Sequence, residues 1–87
     1  MLGNIQVKYY FDLSCEFDNR ANFYGKAKVL EDYEGVLYLK SYDTIVATCE
    51  NGTVEILGQY SQTTSRHQKE FFLQFDQTNR TWEQARR

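Results

Sequence analysis

His67 is the single histidine of the chain and the side chain best suited to proton transfer near neutral pH. Catalysis by His67 would need a partner, and Ser65 and Glu70 are the nearest candidates in the sequence. Ser65 is better used as a helix cap, and residues two apart on a helix point to different sides. The sequence shows no Cys/His metal-ligand spacing, no glycine-rich phosphate loop and no nucleophile motif. We therefore expect a protein that is not an enzyme and that binds no metal and no cofactor.

A run of hydroxyl and basic residues marks a candidate anion site, made of Thr63, Thr64, Ser65, Arg66 and His67. The first N–H groups of a helix are unpaired, and the helix dipole favours negative charge at that end. Phosphate would suit such a site. Clusters of Ser and Thr also commonly do no more than cap a helix, and this alternative stays open.

Nucleic acid is a larger ligand with the same chemistry, and it could use the basic residues of the helix and tail with tyrosines for stacking. The overall charge argues against a dedicated nucleic-acid binder, because the net charge is -2 and the pI is near 5.3. Residues 1–60 hold five Lys or Arg and nine Asp or Glu, whereas residues 61–87 hold five and three. An acidic sheet thus precedes a mildly basic C-terminal segment, and nucleic acid is the less favoured partner.

Tyrosines among carboxylates form the other candidate surface. Apolar residues occupy every odd position from 5 to 17 and mostly polar residues occupy the even ones, which predicts a strand with its odd face buried. The opposite face would then carry Tyr10, Asp12 and Glu16, with Tyr24 on the next strand. Tyrosine is enriched at protein interfaces, so these four residues predict a protein-binding face. Tyrosine is equally an ordinary strand residue on a solvated face.

The elements that position these residues are short and consecutive. Strands are predicted at about 4–17, 23–31, 36–41, 44–50 and 53–60, with Asn51-Gly52 as a hairpin turn that needs positive φ at both positions. The connections are too short for parallel crossovers. The sequence therefore predicts an α+β fold: one domain over residues 1–87, with a five-stranded antiparallel β meander.

One C-terminal α-helix, predicted at about 63–75, is expected to pack on one face of the sheet. Ser65 and Gln68 fit a capping box at its start. Phe71, Phe72 and Phe75 form an apolar stripe, with Arg66, Lys69 and Glu70 expected to face water. Residues 79–87 are predicted to form a short final helix around Trp82 or a frayed tail.

Cys15 and Cys49 lie on the apolar phase of predicted strands, so we expect two reduced thiols facing the core, with a disulfide as the alternative. No apolar run approaches the ~18 residues of a membrane span. We expect a cytoplasmic protein without membrane contact.

Two stretches carry a resemblance to a known group: YLKSYDTIVA at residues 38–47 and YSQTTSRHQKEF at residues 60–71. The chain resembles small uncharacterised proteins of bacteriophages and mobile elements with the signature SYxTxVA followed by YSxTTxRHxxEF. The resemblance covers about residues 36–75, under half of the chain, and implies a phage-encoded accessory protein.

The resemblance and the tyrosine face together favour a non-catalytic protein-binding module that acts in the host cytoplasm, with a host or phage protein as partner. Inhibition of a host protein or of a defence system is one such role. Exposed strand edges could also recruit a second copy into a homodimer. The alternative function is nucleic-acid or phosphate binding through the helix N-terminus and the basic tail.

Overall fold

The computed structural model of this chain describes residues 5–86. Its elements are β1 (Val7–Asp12), β2 (Ala27–Asp32), β3 (Leu37–Ser41), β4 (Thr44–Glu50), β5 (Thr53–Ile56), α1 (Gln62–Phe75) and α2 (Trp82–Ala85). Each strand pairs antiparallel with the next, so the order in the sheet is the order in the chain. The predicted α+β fold, a five-stranded antiparallel sheet with a helix packed against it, is confirmed.

Turn chemistry explains why the meander closes where it does. Asn51 and Gly52 both have positive φ, 55° and 79°, as the predicted hairpin requires. The turn from β2 to β3 is held by the Asp32 side chain, which accepts the N–H groups of Glu34 and Val36 at 2.9 and 3.0 Å. The connections between β2 and β5 are too short for a parallel crossover, so these strands pair antiparallel.

Helix α1 covers the sheet at β3, β4 and β5. Phe71 and Phe72 are buried and Phe75 is partly buried, so the predicted apolar stripe is confirmed. Full burial of one such side chain contributes about 1.5–3 kcal/mol to folding. The stripe packs against one apolar core drawn from four strands and the loop after β1: Leu13, Phe23, Ala27, Val29, Leu39, Val46, Ala47, Cys49 and Val54.

The predicted phase of the first strand is wrong over most of its length. β1 ends at Asp12, not near residue 17, and Val7, Tyr9 and Phe11 are 39%, 49% and 40% exposed. Leu13 alone of the expected core residues in this segment is fully buried. The reason is geometric, because one helix laid over β3–β5 does not reach across the sheet to β1.

Residues 13–26 form a loop, although strand was predicted for residues 13–17 and 23–26 of this segment. Glu70 explains how the loop is held. Glu70 was expected to face water, but it is 1% exposed. Its carboxylate accepts the backbone N–H groups of Glu16, Phe17 and Asp18 at 2.8–3.1 Å. Gln74, one turn later, donates to the same carboxylate at 2.6 Å. A buried carboxylate is tolerable because these donors replace its water.

The ends of both helices differ in detail from the prediction. Ser61 is the N-cap of α1, with its hydroxyl accepting the Thr64 N–H at 3.3 Å, so the predicted capping box of Ser65 and Gln68 is wrong. Gln68 is buried instead. The final segment is a short helix, α2, with a capping box of its own at Thr81.

Cys15 and Cys49 are free thiols, as predicted, and burial raises the pKa of both. Cys49 is buried and Cys15 partly so. Of the helices within residues 5–86, neither is long and apolar enough to cross a membrane.

Glu70→Ala is expected to lower the free energy of unfolding by about 3 kcal/mol, because three backbone N–H groups lose a charged acceptor. Urea denaturation measures the change. Glu70→Gln, which keeps one acceptor oxygen, should lose less, and Glu55→Ala, at an exposed position of β5, serves as the control. A Glu70→Ala protein as stable as the Glu55→Ala protein would contradict this account of the loop.

Candidate functional site

A pocket of about 340 Å³ lies where the loop after β1 and the β3–β4 turn meet the first half of α1. We call it the His67 pocket. Its wall combines cations, aromatic rings and small polar groups: Arg20, Asn22, Phe23, Tyr24, Lys26, Tyr42, Thr63, Arg66 and His67.

Positive charge dominates the His67 pocket. Arg20, Lys26 and Arg66 line it, and none of its lining residues is a carboxylate. The nearest counter-charge on Arg66 is Asp18, at 3.5 Å. Three cations around one concave surface repel each other and attract an anion from solution. The pocket is therefore suited to a negatively charged ligand.

Two tyrosines at this pocket adopt a backbone conformation that is costly for side chains with a Cβ. Tyr24 has φ 56° and Tyr42 has φ 55°, in the left-handed region that favours glycine. The Tyr24 N–H donates to the Asn22 side chain at 2.7 Å, and the Tyr42 N–H donates to the Lys26 carbonyl at 2.8 Å. These bonds hold both turns. Strain of this kind concentrates at functional sites, and the two tyrosines that carry it line one pocket.

A buried hydrogen-bonded triplet of Ser41, Thr64 and His67 adjoins the pocket through His67, and we call it the floor of the pocket. Ser41 Oγ lies 2.8 Å from His67 Nδ1 and 3.0 Å from Thr64 Oγ1. A serine paired with a histidine is the arrangement of nucleophilic catalysis, but this serine is 2% exposed and already bonded to two groups. The triplet fastens the end of β3 to α1. Burial lowers the pKa of His67, which favours the neutral ring.

A second cleft, of about 480 Å³, lies on the other side of Arg66, between α1 and α2. We call it the α1–α2 cleft. Arg66, Lys69 and Arg86 supply its cations, and Glu83 is its one lining carboxylate. The other lining residues are uncharged, with two aromatic rings and one aliphatic side chain among them: Ile56, Gly58, Gln59, Tyr60, Gln62, Ser65, Gln68 and Trp82.

The walls of the α1–α2 cleft are fixed by the core. The Gln68 amide donates to the carbonyls of Val46 and Gly58, at 2.9 and 3.4 Å, and so ties the loop after β5 to α1. The Tyr60 ring lies against Gly58, where a Cβ would come within 3.3 Å of it. Trp82 packs on Phe72 at 5.8 Å between ring centroids. Contacts within the protein therefore position both aromatic side chains, Tyr60 and Trp82, in the absence of a ligand.

The four residues of the predicted tyrosine face do not form one surface. Tyr10 and Asp12 share the outer face of β1, where Lys28 lies 2.6 Å from Asp12 and 5.9 Å from the Tyr10 ring centre. Glu16 is in the loop after β1, and Tyr24 lines the His67 pocket. The prediction placed them together because it took residues 4–17 as one long strand paired with the next.

The five residues of the predicted anion site divide between three places. Thr63, Arg66 and His67 line the His67 pocket, and Ser65 with Arg66 lines the α1–α2 cleft. Thr64 is buried against Ser41. Ser61 caps the helix start by accepting the Thr64 N–H, one of the N–H groups that the predicted site would have offered to an anion.

Sequence reasoning missed six residues of the His67 pocket and its floor: Arg20, Asn22, Phe23, Lys26, Ser41 and Tyr42. Their signal was weak, since each lies in or beside a turn whose conformation the sequence does not specify. Arg80 of the basic tail is engaged by Asp76 at 2.8 Å, and Arg87 lies outside the described residues. Within residues 5–86, no three His, Cys, Asp or Glu side chains group as metal ligands.

The burial of His67 predicts a loss of stability on mild acidification. Its pKa is lowered in the folded state, so the unfolded chain binds the proton more readily below about pH 6.5. Stability is fully present above that pH and declines as the pH falls toward the lowered pKa. Thermal unfolding between pH 7.5 and about 5 should show a falling Tm for the native chain.

His67→Asn is the matched variant, because the asparagine side chain can still bond Ser41 but cannot titrate. We expect it to be less stable at pH 7.5 and to show a flatter Tm profile over the same range. The chain has one histidine, so the difference between the two profiles isolates this residue. Parallel Tm profiles would show that His67 makes no contribution to the pH dependence of stability.

Comparison with known proteins gives a match to one family model. No curated protein and no solved structure matches the chain. The match to a family model begins in β1 and ends one residue past α2. This span is longer than residues 36–75, which carried the phage resemblance, and the family description gives no origin. The chain therefore belongs to the family described as "Family of unknown function (DUF8033)", whose model matches residues 11–86.

Proposed function

We propose that this protein is a non-catalytic module that binds single-stranded nucleic acid across the first half of α1. One observation carries the proposal. The His67 pocket and the α1–α2 cleft meet at Arg66, and five cations line the two cavities together with one carboxylate, Glu83. This concentration of positive charge occurs on a chain with a net charge of -2.

Charge supports a phosphate backbone as the ligand. Phosphates bind lysine and arginine with release of counterions. A row of cations can contact successive phosphates of a nucleic-acid chain, whereas one small anion would contact only a few of them. Arg66 lies at the junction, with Arg20 and Lys26 on one side and Lys69 and Arg86 on the other. Arg66 would therefore contact the middle of the bound strand.

Aromatic side chains support bases as the second component. Tyr24 and Tyr42 lie at one cavity, and Tyr60 and Trp82 at the other. Bases stack on aromatic rings with little regard to sequence, typically contributing about 1–3 kcal/mol per base. Tyr24 and Tyr60 are 75% and 48% exposed, so their rings are accessible to bases. Accessible rings next to cations are the arrangement expected of single-strand binding without sequence specificity.

The salt dependence of oligonucleotide binding tests the proposal. If five cations contact phosphates, affinity for a labelled single strand should fall about 100-fold between about 50 and 200 mM salt. The double variant Arg66→Ala/Lys69→Ala should bind more weakly at low salt and lose only about 20-fold over the same range, since two contacts are gone. Fluorescence anisotropy measures both quantities.

Lys28→Ala/Lys40→Ala is the matched control, because it removes the same charge from residues that line neither cavity. It should leave the salt dependence unchanged. Trp82 is the single tryptophan of the chain, so quenching of its emission reports contact at the α1–α2 cleft directly. Absence of binding at low salt, or equal losses in the two double variants, would refute the proposal.

Protein binding is the second candidate function, and β1 is the observation that favours it. All six residues of β1 are exposed, and they include Val7, Tyr9, Tyr10 and Phe11. The resemblance to bacteriophage proteins extends this candidate to a phage accessory protein that acts on a host protein, such as a component of a defence system, in the host cytoplasm. A contact made by these side chains would depend on salt much less than nucleic-acid binding.

A further inference from the structure

The two edges of the sheet are finished differently. At β5 the outward N–H of Val54 donates to the Asp76 carboxylate at 3.0 Å, and Arg80 donates to the Val54 carbonyl at 2.6 Å. The Gln77 N–H donates to the Gly52 carbonyl at 2.7 Å. Side chains and backbone of the segment after α1 therefore occupy the groups that another strand would need.

β1 is open by comparison. The Leu13 N–H donates to the Ala27 carbonyl, toward β2. Since alternate residues of an antiparallel strand direct their N–H and C=O groups to opposite edges, those of Tyr10 and Asp12 point away from the sheet. Within residues 5–86 β1 pairs with β2 alone, and no hydrogen bond reaches the backbone of Tyr10 or Asp12 from the outer side.

The sequence of β1, VKYYFD, is complementary to itself in antiparallel orientation. Pairing two copies with Tyr10 opposite Tyr10 places each Lys8 opposite Asp12 of the other copy. The same register places Tyr9 opposite Phe11. Opposite charges and aromatic pairs directly across strands stabilise a sheet. A twofold axis between the two Tyr10 residues supplies the Lys8–Asp12 and Tyr9–Phe11 contacts twice.

We propose that two copies of this chain pair through β1 and form one continuous ten-stranded antiparallel sheet. The proposal deepens the protein-binding candidate by naming the strand that β1 receives, and it is independent of nucleic-acid binding. No residue of β1 lines the His67 pocket or the α1–α2 cleft, so a dimer would carry two nucleic-acid paths.

The local geometry fits this register. A shift in the β1–β2 pairing between Val7 and Tyr9 leaves Lys8 without a β2 partner, and regular pairing covers residues 9–12. The Tyr10 pair and the Tyr9–Phe11 pairs lie within that stretch, and Lys8 lies at its border. Asp12 binds Lys28 through one carboxylate oxygen, Oδ1. Its side chain is 64% exposed, so it remains accessible to Lys8 of a second copy.

Charge reversal tests the pairing with an internal rescue. Lys8→Asp alone opposes two carboxylates, and Asp12→Lys alone opposes two ammonium groups, so each should raise the dimer dissociation constant by about tenfold or more. An equimolar mixture of the two variants restores both opposite-charge pairs and should form heterodimers. Sedimentation equilibrium measures the masses, and circular dichroism confirms that each variant is folded.

Lys40→Asp, which reverses a charge on β3, is the control and should dimerise like the native chain. A native chain that stays monomeric at all concentrations overturns the dimer. So does a dimer that both single reversals leave intact, or two monomeric variants that do not assemble when mixed. None of these results alters the oligonucleotide assay, which depends on α1, so failure of the dimer and failure of nucleic-acid binding are distinguishable.

Discussion

Much of the molecule depends on one buried carboxylate. Glu70 projects from α1 and accepts three consecutive N–H groups of the loop after β1, so a segment without regular structure is fixed to a helix. That attachment brings the loop against the core, where Phe23 is buried beside His67 at 4.6 Å between ring centroids. Arg20 and Lys26 belong to the same loop, and both line the His67 pocket. A solvent-facing Glu70 would leave the pocket without one of its walls.

α1 combines three tasks on separate faces. Its phenylalanines close the core, its buried polar residues His67, Gln68 and Glu70 bind the sheet and two loops, and Arg66 with Lys69 remains accessible at the cavities. Buried polar groups specify where partners must lie more sharply than apolar contacts, because an unmet hydrogen bond in the interior is costly. The helix therefore sets the relative positions of both cavities as well as covering the sheet.

Local sequence signals predicted the strand order, the Asn51-Gly52 turn and the phenylalanine stripe, because each depends on residues near in sequence or on a simple period. The burial of β1 was predicted wrongly because alternation shows that a strand has two kinds of face but not whether another element reaches it. Glu70 was misplaced for a related reason. A carboxylate on a helix is normally solvated, and its actual partners lie more than 50 residues away in sequence.

The candidate site shows why total charge was a poor guide to ligand chemistry. A net charge of -2 counts carboxylates on the sheet that lie far from α1, whereas the electrostatic potential at a cavity depends mainly on charges within about one Debye length. Lys26 and Arg20 belong to the acidic segment, residues 1–60, and folding brings them next to Arg66 of the basic segment, residues 61–87. The turns that bring them there contain tyrosines with positive φ, a conformation that no sequence pattern indicated. The two halves that the charge count separates therefore meet at one surface, and the chemistry of that surface follows from the fold.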